Sequence, residues 1–107
     1  MASRFKFKAW DKENNLLIRP GQITLIKGVL SIPNCVMLQF TGFSDIMEQE
    51  IYEEDILLIG EVKYRAYWDE SEMTWMYTKG NSKKRLSQKF TATTLRGYNA
   101  YERGEME

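Results

Sequence analysis

Hydrophobic and polar positions alternate with period two along much of this chain. In residues 4–10, Phe5, Phe7 and Ala9 fall on one side and Arg4, Lys6 and Lys8 on the other. That spacing predicts a half-buried strand. Residues 11–15, Asp-Lys-Glu-Asn-Asn, form a turn of residues that bond their own backbone. Apolar runs then resume at 16–18, 22–26 and 29–32, broken by Pro20-Gly21, Gly28 and Pro33-Asn34. Residues 36–40 are apolar except for Gln39, and 56–59 are a continuous apolar run. Residues 61–68 place Val62, Tyr64, Ala66 and Trp68 on one face. Residues 73–77 do the same for Met73, Trp75 and Tyr77. These two segments, joined by the acidic residues 69–72, predict a hairpin. Residues 79–85 read as a charged loop, and the threonine-rich stretch 90–95 as a last long strand that Gly97 interrupts.

Short strands at intervals of roughly 8–12 residues predict an all-β barrel or sandwich of antiparallel strands. Helical periodicity is scarce, with room for one turn within 44–54 and another within 82–89. At 107 residues the chain reads as one domain, 1–107. Its expected core is Phe5, Phe7, Leu38, Phe40, Ile56, Leu58, Val62, Tyr64 and Trp75.

Charge changes the picture more than composition does. The formal net charge is +0, yet the signs are segregated. Between 44 and 61 lie Asp45, Glu48, Glu50, Glu53, Glu54, Asp55 and Glu61 without a base. Between 78 and 101 lie Lys79, Lys83, Lys84, Arg85, Lys89 and Arg96 without an acid. Two readings follow: solvated loops of opposite sign that match within one chain, or complementary surfaces that meet in a homo-oligomer. In the second reading Glu50, Glu53 and Glu54 face the bases of a neighbour, and Tyr52 and Tyr98 supply the apolar centre.

The apolar stretch at 36–40 carries a longer motif. Met37-Leu-Gln-Phe-Thr-Gly-Phe-Ser-Asp45 is followed by Glu50-Ile-Tyr-Glu-Glu-Asp-Ile-Leu57, and Phe7-Lys-Ala-Trp-Asp-Lys12 stands at the front. Together they resemble the YopX-like family of phage and prophage proteins. Glu61-Val-Lys-Tyr64 and Arg96-Gly-Tyr-Asn-Ala-Tyr-Glu102 extend the resemblance more weakly. It marks Trp10, Asp11, Gln39, Thr41, Gly42, Asp45 and Asp55 as motif positions. It implies an all-β, barrel-like fold, a phage or prophage setting and a tendency to assemble, and no particular reaction. Two departures stand out. Glu54 occupies a position where the family usually has glycine, and Met47-Glu48 replaces a usual Asn-Gly. The first puts strain at Glu54 if the family's glycine serves a left-handed turn; otherwise the chain turns differently there, or the glycine was never needed for its dihedral. The second removes a tight primed turn, so the expectation is a looser, wider acidic loop between Thr41 and Glu50.

Candidate chemistry is sparse. The chain has no histidine and one cysteine. Cys35 lies in an apolar run and reads as a small buried hydrophobe without an activating base. Zinc and redox metals are disfavoured, and the acids 50–55 lack a calcium-loop pattern. No phosphate-cradling glycine loop is present, and nothing singles out one acid–base pair among the carboxylates. Trp10 and Asp11 read as a strand-end aromatic over a turn. Thr41 and Asp45 read as partners for backbone donors around Gly42. The expectation is therefore a non-enzymatic protein without metal or cofactor. It acts in the cytoplasm by self-assembly or by binding a host or phage protein, with no membrane association.

A rival reading uses the basic segment as a single-stranded nucleic-acid site. Lys79, Lys83, Lys84, Arg85, Lys89, Arg96 and Tyr98 are its residues, with Tyr77 and Phe90 as flanking aromatics. Zero net charge and a sequence pI of 6.3 weigh against it. A third reading is capture of a small nucleotide at a subunit junction.

Overall fold

A computed structural model describes residues 6–18 and 35–105. Strands take up 58% of these residues and helices 10%, so the chain is all-β, with a curled half-barrel sheet and a second sheet. The expected strands at 22–26 and 29–32, and the side chain of Phe5, lie outside the described residues.

The first sheet contains β1 (Phe7–Asp11), β2 (Leu16–Ile18), β3 (Cys35–Ser44) and β4 (Glu50–Tyr52) in the order β2-β1-β3-β4. The second contains β5 (Asp55–Ile59), β6 (Val62–Asp69), β7 (Thr74–Lys79), β8 (Ser82–Arg85) and β9 (Leu95–Asn99) in the order β8-β7-β6-β5-β9. All described pairings are antiparallel.

The expected hairpin is β6–β7, with Trp68 opposite Trp75 and Ala66 opposite Tyr77. Met73 does not share the strand face. It sits in the connecting turn at φ +51° and is 71% exposed.

The sheets meet over a cluster of Ile51, Leu57, Ala66 and Leu86. Phe43, Tyr64, Trp75, Tyr77 and Phe90 pack around it. Tyr77 stacks on Phe90 at 3.9 Å, and Tyr64 meets both rings edge-on. A second cluster of Ile56, Tyr98 and Ala100 forms on the opposite face of the second sheet, with Leu58 against it. Of the expected core, Leu38, Phe40 and Ile56 are buried, whereas Phe7, Leu58, Val62, Tyr64 and Trp75 are half-buried. Phe7, Leu58, Val62 and Trp75 lie within one residue of a strand end, and Tyr64 and Trp75 pack around the first cluster. The fully enclosed positions are smaller or more central, such as Ala9, Ile51, Leu57, Ala66 and Ala100.

Three local expectations are corrected. Residues 79–85 are not a loop, because Gly80, at φ +58°, lets a two-residue connection fold β8 back on β7. Residues 90–95 are not a strand. Ser87 caps a short helix, α1 (Gln88–Thr91), by accepting the Phe90 N–H. The threonines extend the turn, since Thr91, Thr93 and Thr94 hydroxyls donate to the carbonyls of Gln88, Phe90 and Thr91. Gly97 does not interrupt a strand but forms a bulge within β9. Ile56 pairs with Tyr98 and Leu57 with Arg96, leaving Gly97 unpaired. A Cβ there would approach Leu58 Cδ1 to 3.0 Å.

The wide acidic loop is also absent. β3 runs to Ser44, and Asp45 N–H donates to Gln49 O at 3.0 Å across a three-residue tip. No helical turn forms within 44–54.

Candidate functional site

The acidic segment is built inward. Asp45 is 3% exposed. Its Oδ1 accepts the N–H groups of Met47 and Gln49, both at 2.8 Å, and its Oδ2 accepts the Arg96 N–H at 2.7 Å. Ile46 N–H donates to Thr94 O at 2.9 Å. One carboxylate thus holds its own turn and the start of β9 together. Thr41, its counterpart across Gly42, donates to Ile51 O and accepts the Phe43 N–H. Gly42 itself has φ +89°, and the β3–β4 register shifts across it.

Asp55 is the second hub and is fully buried. Its carboxylate accepts from Tyr52 N–H at 2.7 Å, Arg96 Nε at 3.0 Å and Asn99 Nδ2 at 2.9 Å. Asn99 also donates to Glu53 O and joins Glu102 in a capping box at the start of the 3-10 turn Ala100–Arg103. A buried charge is tolerable only with such partners.

Glu54 takes the left-handed conformation, φ +68°, without being glycine. Its N–H donates to Ala66 O at 2.8 Å, its carbonyl accepts from Ala100 N–H at 2.8 Å, and its carboxylate pairs with Arg65. These partners hold the strained dihedral in place. Burial pushes the Glu54 carboxyl above its usual range, and the Arg65 guanidinium opposes the shift. Burial also raises Glu53, offset in part by the Gln39 N–H, which lies 3.4 Å from its Oε1.

These contacts decide several sequence assignments. Tyr52 is 1% exposed and its hydroxyl donates to Glu50; burial, then Glu50, pushes its phenol upward. Tyr98 is 8% exposed and its hydroxyl meets Glu105 and Lys63. Neither ring offers an apolar centre to a neighbour, and Arg96 is committed to Asp55. Trp10 is buried and stacks on Tyr101 at 6.1 Å, while Asp11 accepts the N–H groups of Glu13 and Asn14.

The family comparison bears on this same stretch. A profile described as YopX protein matches residues 20–96. The chain belongs to the YopX family. No curated protein matches it. The match spans β3 to the start of β9, so the Asp45 turn and the Asp55–Arg96 pair fall within the YopX region.

Outside these hubs, three features of the YopX chain face solvent. The first is the tip of the Asp45 turn, where Ile46 is 59% and Met47 66% exposed, with Leu95 at 44% in the adjoining strand. The second is the basic end of the second sheet. Lys79, Lys83, Lys84 and Arg85 are exposed on the β7–β8 hairpin and Lys89 on α1. β8 is an edge strand, so its lysines also discourage edge-to-edge pairing. The third is a cleft of about 360 Å³ lined by Lys8, Leu17, Gln49, Glu50, Tyr52, Arg96 and Glu102. It mixes both signs, and Glu50 is already paired with Lys6 at 2.5 Å, so its charge selects no anion.

Sequence reasoning missed the apolar tip and the cations Lys63 and Arg65. The signal for the cations was the polar half of the alternation at 62–68. The tip had none, because it depends on Asp45 meeting Arg96. No helix among the described residues is long and apolar enough to cross a membrane.

Proposed function

We propose that this YopX-family chain is a non-enzymatic accessory protein of phage or prophage origin that works by binding a protein partner. The observation that carries the reading is the Asp45 tip. Turn positions ordinarily hold polar residues, yet Ile46 and Met47 project there on a backbone already fixed by five hydrogen bonds. Binding through a pre-ordered element loses little conformational entropy. With Leu95 beside them, these side chains make a small apolar patch rather than a scattered exposed residue. Self-association through matched charge has lost its main support, because Asp45, Glu54, Asp55 and Arg96 find partners within one chain.

The test is site-specific photocrosslinking in host cells carrying the phage or prophage. A crosslinker at Met47 should give an adduct of one defined mass, and one at the exposed Glu70 should not. A Met47 adduct of twice 12.6 kDa would mean a second copy is the partner. Identical patterns from both positions, or none from Met47, would refute the reading.

A further inference from the structure

One face of the second sheet packs on the first; the other carries alternate residues of β6, β7 and β8, with Met76 buried at its centre and the residues of β8 exposed. The strand register fixes what stands on it. Lys83 is opposite Thr78, which is opposite Arg65; Arg85 is opposite Met76, which is opposite Tyr67. Lys63 continues the β6 row toward Leu58. Four cations and one tyrosine therefore share this face, and Arg103 adjoins it with its guanidinium 4.2 Å from the Tyr98 ring centroid. Three carboxylates reach it: Glu54, paired with Arg65, Glu105, 3.9 Å from Lys63, and Asp69, at the far end of the β6 row, where it accepts the Glu72 N–H. Lys83 and Arg85 have no ion-pair partner among the described residues.

We infer that this face binds single-stranded nucleic acid, with Lys83, Arg85 and Lys63 on phosphates and Tyr67 beneath a base. Edge protection explains lysines on β8 but not Lys63 and Arg65, which stand on the interior strand β6. Alternate residues on a strand are about 6.8 Å apart, a spacing commensurate with successive phosphates of an extended single strand. The Arg65 guanidinium lies 5.3 Å from the Tyr67 ring centroid, so the pair offers a cationic, planar surface. The Tyr67 side chain is half-buried: its hydroxyl is enclosed and has no hydrogen-bond partner among the described residues, and its ring lies beside the Arg65 guanidinium. The inference is independent of the Asp45 tip, which is remote from these strands in sequence and uses other residues.

Fluorescence anisotropy with a short labelled oligothymidylate tests it across a salt series. The wild-type chain should bind at low salt, with log affinity falling linearly in log salt at about −0.7 per phosphate engaged. Lys83→Glu with Arg85→Glu should weaken binding about tenfold or more and make the slope shallower by about 1.4, two contacts at about 0.7 each. Lys84→Glu, on the opposite face of the same strand, should change affinity by less than about twofold. Tyr67→Ala should cost about tenfold and Tyr67→Phe almost nothing, which separates stacking from the hydroxyl. All four positions are at least partly exposed, and circular dichroism melts confirm folding of each variant. Absence of binding at the lowest salt, an equal loss from Lys84→Glu, or equal displacement by polyglutamate would overturn the inference. Substitution of Ile46 and Met47 should leave oligonucleotide binding unchanged whatever happens to protein crosslinking.

Discussion

The acidic segment of β3–β5 and the basic hairpin β7–β8 look like mirror images in the sequence and are opposites in the structure. Asp45, Glu54 and Asp55 are buried and spend their charge on backbone N–H groups and on Arg96 and Arg65. Lys79, Lys83, Lys84 and Arg85 are exposed. One charged segment builds the fold, and the other decorates it. A run of like charges therefore does not announce a surface; its burial and partners decide. Carboxylates accept several N–H donors at once and suit interior turns, whereas lysine ammonium groups are strongly hydrated and stay outside.

The comparison breaks most sharply at Asp55. Asp55→Ala should strand Arg96, Asn99 and the Tyr52 N–H, costing about 3–5 kcal/mol, close to the whole stability of a marginal domain. Denaturant unfolding should show a chain largely unfolded in mild conditions. If Asp55→Ala unfolds no more readily than Lys83→Ala, the division into building and decorating charge is wrong. Asp45→Ala should come next, at about 2–3 kcal/mol, since three backbone donors lose their acceptor. It should also weaken Met47 crosslinking, because the tip is no longer held.

Two smaller effects sharpen the picture. Glu53 has a carboxyl raised by burial, so folding favours its protonated form. The folded state then holds more protons than the unfolded one above the ordinary value of 4.5, and stability from this group declines as pH rises toward neutrality. Glu53→Gln should flatten that decline and be at least as stable as the parent at pH 7, read from unfolding midpoints across pH. A steeper decline in the variant would reverse the assignment. Glu48 has φ +62° and is exposed. Glu48→Gly should gain up to about 1 kcal/mol by relieving the left-handed dihedral. Glu54→Gly should not show that gain, because it also gives up the Arg65 pair.

The legible parts of the fold were those with local grammar. The β6–β7 hairpin was readable because Val62, Tyr64, Ala66 and Trp68 alternate over seven residues around an evident turn. The threonines of 90–95 misled because β-branched residues favour strands, while the deciding residue, Ser87, lies outside the run and acts as a cap. β8 was hidden because Ser-Lys-Lys-Arg has no apolar side; it is an edge strand, four residues exposed in a row. The glycine missing at 54 flagged a conflict correctly, but only Ala66, Ala100 and Arg65 show why the dihedral survives. Of the candidate site, the sequence showed the cations of β8 and grouped them with Arg96 and Tyr98, which in the fold turn inward. Nothing local separates an arginine bound for Asp55 from one bound for solvent.

The Asp45 and Asp55 hubs also set an order in time. Asp45 meets Arg96 across 51 positions, and Asp55 meets Arg96 across 41 and Asn99 across 44. Such distant contacts close slowly, since loop entropy must be overcome before they are gained. On the ribosome, β3, β4 and β5 emerge with their carboxylates unmatched and wait for residues 95–99. Until that strand arrives, the Ile46–Met47 tip has only the bonds made within residues 45–49 and lacks those to Thr94 and Arg96, so its partner meets a finished surface only after β9 has docked.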